Sequence, residues 1–195
     1  MLFNSYEFVF VFLPVTVGVF LALRRFSVSI ALGWLTLASL GFYAWWRPVN
    51  VMIIVPSLLI NFMVARGLMQ LVEQEEKQAR ARVLLGAGIC FNVCFLGYFK
   101  YVNFAKTALN DIAGTDFVIT YLVLPLGISF ITFQKIAFLI DVHGGQIKKF
   151  AFKDFCLFVL FFPQLIAGPI VHYREMMPQF KAMTRRIDPD AIAAG

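Results

Sequence analysis

Apolar residues fall along this chain in long blocks, separated by short polar or charged stretches. Four blocks carry no charge at all: 8–23, 26–46, 49–65 and 83–99. At about 1.5 Å of rise per helical residue, runs of this length cross most or all of a ~30 Å hydrocarbon layer. Two further blocks, 117–140 and 155–171, are apolar but interrupted by proline, glycine and glutamine. The pattern predicts an all-α polytopic membrane protein of about six membrane segments, some of them kinked or re-entrant.

The stretches between blocks set the local expectations. Arg24–Arg25 closes the first run, and no basic residue precedes it, so it reads as a retained helix with a cytoplasmic C-terminal end. Tyr43, Trp45 and Trp46 stand where an interfacial aromatic belt belongs. Pro56 predicts a kink in the third segment. The polar stretch 66–82 carries Glu73–Lys77 and Glu76–Arg80 at i,i+4 spacing and predicts a cytoplasmic helix. Lys100 is expected to snorkel among its aromatic neighbours, and Asn110, Asp111 and Gly114 mark a turn. Pro125 opens a new helix, leaving 117–124 as a separate piece. The loop HGGQIKK follows, and Asp154 is expected to cap a helix that begins at Phe155.

The stretch FFPQLIAGPIVHY, 161–173, decides the topology. With simple alternation, nine Lys and Arg follow the first, third and fifth segments and three lie opposite. That bias puts the N-terminus outside the cytoplasm. Arg174, Lys181, Arg185 and Arg186 would then fall on the wrong side if the sixth segment crossed. If Pro163 and Gly168–Pro169 turn the chain back at mid-membrane, the count becomes thirteen against three. A re-entrant segment is the expectation, with a proline-kinked crossing helix as its rival. A broken backbone at that depth needs cover from protein or a wet cavity, which makes PQLIAGP a candidate wall of an internal path with Gln164 as a polar contact.

Composition narrows the function. The chain is 61% hydrophobic and 14% charged, far from the balance of a soluble domain. Its net charge of +6 is the ordinary consequence of basic loops facing anionic lipid, so no nucleic-acid partner is expected. The three cysteines form no CxxC pair, and no metal site or bound cofactor is expected. No nucleophile elbow, zinc-protease helix, phosphate loop or dinucleotide fingerprint occurs. His143 and His172 read as interfacial polar residues without a positioned partner. Lys135, the one charge inside an apolar run, either lines a polar path or snorkels to the run's end.

Four stretches, taken together, resemble the membrane-bound O-acyltransferases, in the bacterial branch that O-acetylates alginate and similar exopolysaccharides. They are LFNSYEFVFVFLPV, YFKYVNF, LPLGISFITFQKIAFLIDVHGG and FFPQLIAGPIVHYREMMPQF, in the family's order and spacing. His143–Gly144 departs from the Tyr-Arg pair many members carry there, whereas His172 fits the pattern.

The resemblance implies the N-terminal part of one transmembrane domain, spanning 1–195, without the family's downstream signature histidine. No catalytic residue is therefore assigned. It also implies transfer of an acetyl group from a cytoplasmic donor through a tunnel to a sugar hydroxyl outside. The setting would be the bacterial inner membrane, with a polysaccharide acceptor and periplasmic or extracellular acetylation proteins as partners. Gln134, Gln164 and His172 are the candidate polar contacts along that path. Three alternatives stand beside it: a D-alanyl transferase of the same family acting on teichoic acid, a transporter or channel, and an inactive truncated scaffold.

Overall fold

A computed structural model of the chain describes residues 5–113, 125, 127–164 and 171–182. Among these residues every regular element is helical. The chain opens with a π-helical segment, Phe8–Phe12, that runs into α1, Leu13–Arg24. Pro14 has no N–H to give the turn before it, and the Leu13 amide bonds Phe8 O, five residues back. α2, Val28–Trp46, ends because Arg47 precedes Pro48 and takes an extended conformation. Pro48 then occupies the first position of α3, Pro48–Val72, where its missing amide costs nothing. α4, Gln78–Ala113, is the longest helix. α5, Ile128–His143, follows Gly127, whose φ of 65° lies in the left-handed region that glycine enters freely. The last two are α6, Phe152–Leu160, and a short amphipathic helix, α7, Tyr173–Ala182.

Several boundaries differ from the sequence pattern. The polar stretch 66–82 is not one helix. Its first part prolongs α3 to Val72, Glu75–Lys77 form a short 3-10 turn, and its last part begins α4. Nothing between Ala65 and Val72 breaks a helix, so α3 continues past its apolar block. The Glu73–Lys77 and Glu76–Arg80 spacings straddle the turn and no longer lie on one helix. Helix α5 starts at Ile128, not Pro125, and the expected piece 117–124 lies outside the described residues. Asp154 is not a cap: α6 starts at Phe152 and holds Asp154 inside its first turn.

Three helices are long and apolar enough to cross a membrane, over Val28–Trp45, Pro48–Val72 and Gln78–Ile112, and Phe8–Arg24 is a shorter apolar one. Only 17% of the α4 window is buried, so most of its apolar side chains face outward, Val83, Phe104 and Ile112 among them. A helix apolar on all sides requires an apolar surrounding. This is an all-α membrane protein.

The helices group into two compact units, Met1–Val51 with Lys149–Gly195, and Met52–Lys148. In the first, α1 and α2 form a hairpin tied by Trp34 Nε1–H, which donates to Thr16 O at 3.0 Å. Helix α6 packs on α2, and α7 on α6. In the second, α3, α4 and α5 come together around Gly88. A Cβ there would lie 2.9 Å from Leu139 Cδ1 and 3.0 Å from Val64 Cγ1. Gly88→Val is therefore expected to destabilise the protein by about 2 kcal/mol through overpacking. Gly86→Val, at a site with nothing within 4 Å, should leave the melting temperature in detergent nearly unchanged.

Candidate functional site

In the first unit the site is a helix break. Helix α6 has nine residues, about 13 Å of rise, and reaches only about halfway through hydrocarbon. It stops at Leu160, and Phe161, Phe162 and Pro163 leave the helix. The break is held by aromatic packing. Phe162 sits in a cage of Phe8, Phe12 and Phe42, with ring centroids 5.9, 5.3 and 5.7 Å away. Phe161 meets Phe180 edge-on at 5.3 Å.

Beyond the break, α7 packs against α6. Phe158, late in α6, packs edge-on to Tyr173 at the start of α7, with centroids 5.5 Å apart. Asp154, at the start of α6, accepts a 2.7 Å ion pair from Lys181 at the end of α7. The apolar face of α7, Tyr173, Met176, Met177 and Phe180, is buried at i, i+3, i+4, i+7 spacing. Burial pushes the Tyr173 phenol above its ordinary value and the Asp154 carboxylate adds to this, so it stays an O–H donor at physiological pH. The Asp154–Lys181 pair thus ties the end of α7 to the first turn of α6. Lys153, beside Asp154, reaches Ser29 Oγ near the start of α2.

Gln164 follows the break and is buried, its amide bonded to Phe161 O at 3.1 Å. His172 is half-buried and stands before α7: its carbonyl accepts the Glu175 and Met176 amides, capping α7. The segment 165–170, with Gly168 and Pro169, lies outside the described residues.

Gln134 belongs to the second unit and is fully buried. The sequence groups it with the other two candidates; in the structure its chain neighbour Lys135 joins a polar cluster built by α3, α4 and α5. There Asn61 and Asn92 exchange side-chain bonds of 2.6 and 3.3 Å. Asn61 Nδ2 also donates to Ser57 O, and Asn92 Nδ2 to Gly88 O, both at 2.8 Å. Lys135 completes the cluster, with Nζ 2.5 Å from Ser57 Oγ and 5.0 Å from the centre of the Phe95 ring. At 1% exposure it does not snorkel; it is held inside by that serine and that ring. Sequence reasoning missed Ser57, Asn61 and Asn92. Their signal is present: Ser57 and Asn61 stand one turn apart, and both asparagines interrupt otherwise apolar runs.

Comparison with known proteins adds the family. No family profile matches the chain, and no solved structure does. Curated proteins match along nearly its whole length. It is 39% identical over 208 residues to a peptidoglycan O-acetyltransferase of Helicobacter pylori, covering 93% of this chain and 39% of that protein. It is 37% identical over 194 residues to a probable alginate O-acetylase of Pseudomonas aeruginosa, covering 96% of this chain and 36% of that protein. The chain belongs to the membrane-bound O-acyltransferase family.

This acyltransferase-family chain spans well under half the length of those relatives. A teichoic acid D-alanyltransferase of Lacticaseibacillus rhamnosus also matches, at 36% identity over 68 residues, but only 35% of this chain is covered.

Proposed function

We propose that the chain is part of a membrane enzyme that moves an acetyl group onto a polysaccharide hydroxyl. The observation that carries this is the likeness, over more than nine-tenths of the chain, to proteins named for O-acetylating peptidoglycan and alginate. The D-alanyl reading is supported over only about a third of the chain. The reading puts the protein in the bacterial inner membrane, with its N-terminus outside the cytoplasm, and gives it a polysaccharide acceptor and extracytoplasmic acetylation proteins as partners. The acetyl donor approaches from the cytoplasm.

The segment 155–171 is re-entrant in this reading. The stop of α6 after nine residues, and the packing of α7 on it through Phe158–Tyr173 and Asp154–Lys181, support a chain that enters the bilayer and leaves by the same side. The break then forms the wall of a path, and Gln164 and His172 contact what passes along it. Gln134 is the candidate polar contact of the second unit, within α5.

Two experiments test this. Native membranes supplied with an isotopically labelled acetyl thioester should acetylate the acceptor polysaccharide, and deletion of the gene should abolish the transfer. No loss on deletion would end the reading. For topology, Lys149→Cys and Ala182→Cys, in a background lacking the native cysteines, should react with an impermeant maleimide from the same face. Lys106→Cys should react from the other. Labelling of 149 and 182 from opposite faces would mean that the sixth segment crosses.

Gln164→Leu is expected to lower transfer about tenfold with an unchanged melting temperature, the loss of one neutral hydrogen bond to a passing group.

A further inference from the structure

Two helices of the first unit start side by side. Helix α2 opens at Val28, where a candidate membrane span begins, and α6 opens at Phe152. Lys153 Nζ donates to Ser29 Oγ, which puts the first turns of the two helices at one level. The end of α7 joins them there through the 2.7 Å pair of Lys181 with Asp154. Between these ends lies a cavity of about 360 Å³, lined by Val28, Ser29, Leu32, Lys153, Asp154 and Lys181. Leu32 and Asp154 are buried in its wall, whereas Lys153 and Lys181 are exposed, so the cavity opens outward.

Charge and donor count decide what fits. Two ammonium groups stand with one carboxylate, which leaves one positive charge over. Each ammonium gives one N–H to the protein, to Ser29 or to Asp154, and keeps two. A lysine that merely snorkels has a free tip, but both of these are fixed across a gap between helices. A phosphodiester carries one negative charge on two unesterified oxygens, so it balances the charge and reaches both lysines. A phosphate monoester, close to two negative charges at neutral pH, exceeds it.

The depth of the cavity points to a lipid. Its lysines stand where α2 passes from polar chain into an apolar span, the level of phospholipid headgroups. Phe26 and Ile30, on either side of Val28 and Ser29 in the chain, are exposed apolar residues that acyl chains can cover. Arg25 and Lys149, a few residues away along the chain, pair with no carboxylate among the described residues. They favour a headgroup without a cation of its own.

We propose that this cavity binds the phosphodiester of an anionic phospholipid, with Lys153 and Lys181 on its free oxygens. The bound lipid then ties the end of α7 to the starts of α2 and α6, and so steadies the helix that follows the break.

The test uses the protein extracted from its native membranes and placed in nanodiscs of phosphatidylcholine, alone or with phosphatidylglycerol added. Native mass spectrometry reads the retained lipid, and thermal unfolding reads its effect on the fold. The expected result is one retained phosphatidylglycerol and a melting temperature that rises with its content. Lys153→Gln, which leaves the Asp154–Lys181 pair in place, should weaken retention about fivefold. Lys153→Arg should keep the lipid, which separates loss of charge from loss of fold. Lys106→Gln, on α4, should behave as the unaltered protein.

Equal retention of phosphatidylcholine, unchanged binding in Lys153→Gln, or the same loss in Lys106→Gln overturns the site. Stabilisation by inorganic phosphate in phosphatidylcholine nanodiscs, to the extent seen with phosphatidylglycerol, gives the cavity to a free anion and overturns the lipid.

Discussion

Phe162→Ala is expected to lower stability by about 3 kcal/mol, and polysaccharide acetylation about 100-fold. Phe162 is 2% exposed, and its ring is packed by Phe8, Phe12 and Phe42 at centroid distances under 6 Å. Truncating an aromatic at such a site typically costs about 3–5 kcal/mol in a water-facing protein. In a bilayer the transfer part of that cost shrinks, because lipid is as apolar as the core, and the lost packing remains. The lower end of the range follows.

The effect on activity has a different source. Phe162 anchors the chain just past the end of α6, and without it the break can shift by about an ångström, which is enough for a loss of about 100-fold in a positioned reaction. Phe162→Leu should recover most of the stability and part of the activity. Thermal unfolding in detergent and donor-dependent acetylation in native membranes read the two separately. A Phe162→Ala protein that melts normally would mean that the cage does not hold the break.

How far the sequence led depended on what each residue had for company. Membrane helices were legible because a run of apolar residues has one physical meaning in a chain this hydrophobic. Their ends were less so. Arg47–Pro48 and Gly127 stop or start helices by local sterics, which sequence states openly. The end of α3 was less open: past Arg66 the chain still carries Leu68, Met69, Leu71 and Val72, and the helix runs on to Val72, short of the turn at Glu75–Lys77.

Asp154 was misplaced for a related reason. An acidic residue near a helix start fits a cap and a first-turn position equally well, and its ion pair with Lys181 comes from a helix that only the fold brings near. The break after α6 was readable, from eight apolar residues followed by a proline.

Lys135 and its cluster were not readable as a group. Ser57, Asn61, Asn92 and Lys135 lie on three helices, and one sequence without partners gives no sign that they meet. Gln134 was singled out for being polar in an apolar run, a criterion that Asn61 and Asn92 satisfy as well.

The asparagine pair supports the second large effect. Asn92→Leu is expected to destabilise the protein by about 2 kcal/mol. Asn61 and Asn92 are both within 1% of complete burial, and each amide serves the other. Removing Asn92 takes from Asn61 Oδ1 its 2.6 Å donor and leaves that oxygen buried, with only Nδ2 still bonded, to Ser57 O. An interhelical hydrogen bond in a bilayer is worth only about 0.6 kcal/mol on average, since an unfolded helix in lipid finds other partners. Here the larger cost is an amide acceptor left without a donor, about 1–3 kcal/mol.

The same asymmetry predicts the double variant. Asn61→Leu/Asn92→Leu leaves neither partner unsatisfied and should be more stable than Asn92→Leu alone, with a coupling of about 1–2 kcal/mol in a double-mutant cycle. Additive losses would mean that the two side chains stabilise the bundle independently. Thermal unfolding of the four proteins of the cycle in detergent reads that coupling directly.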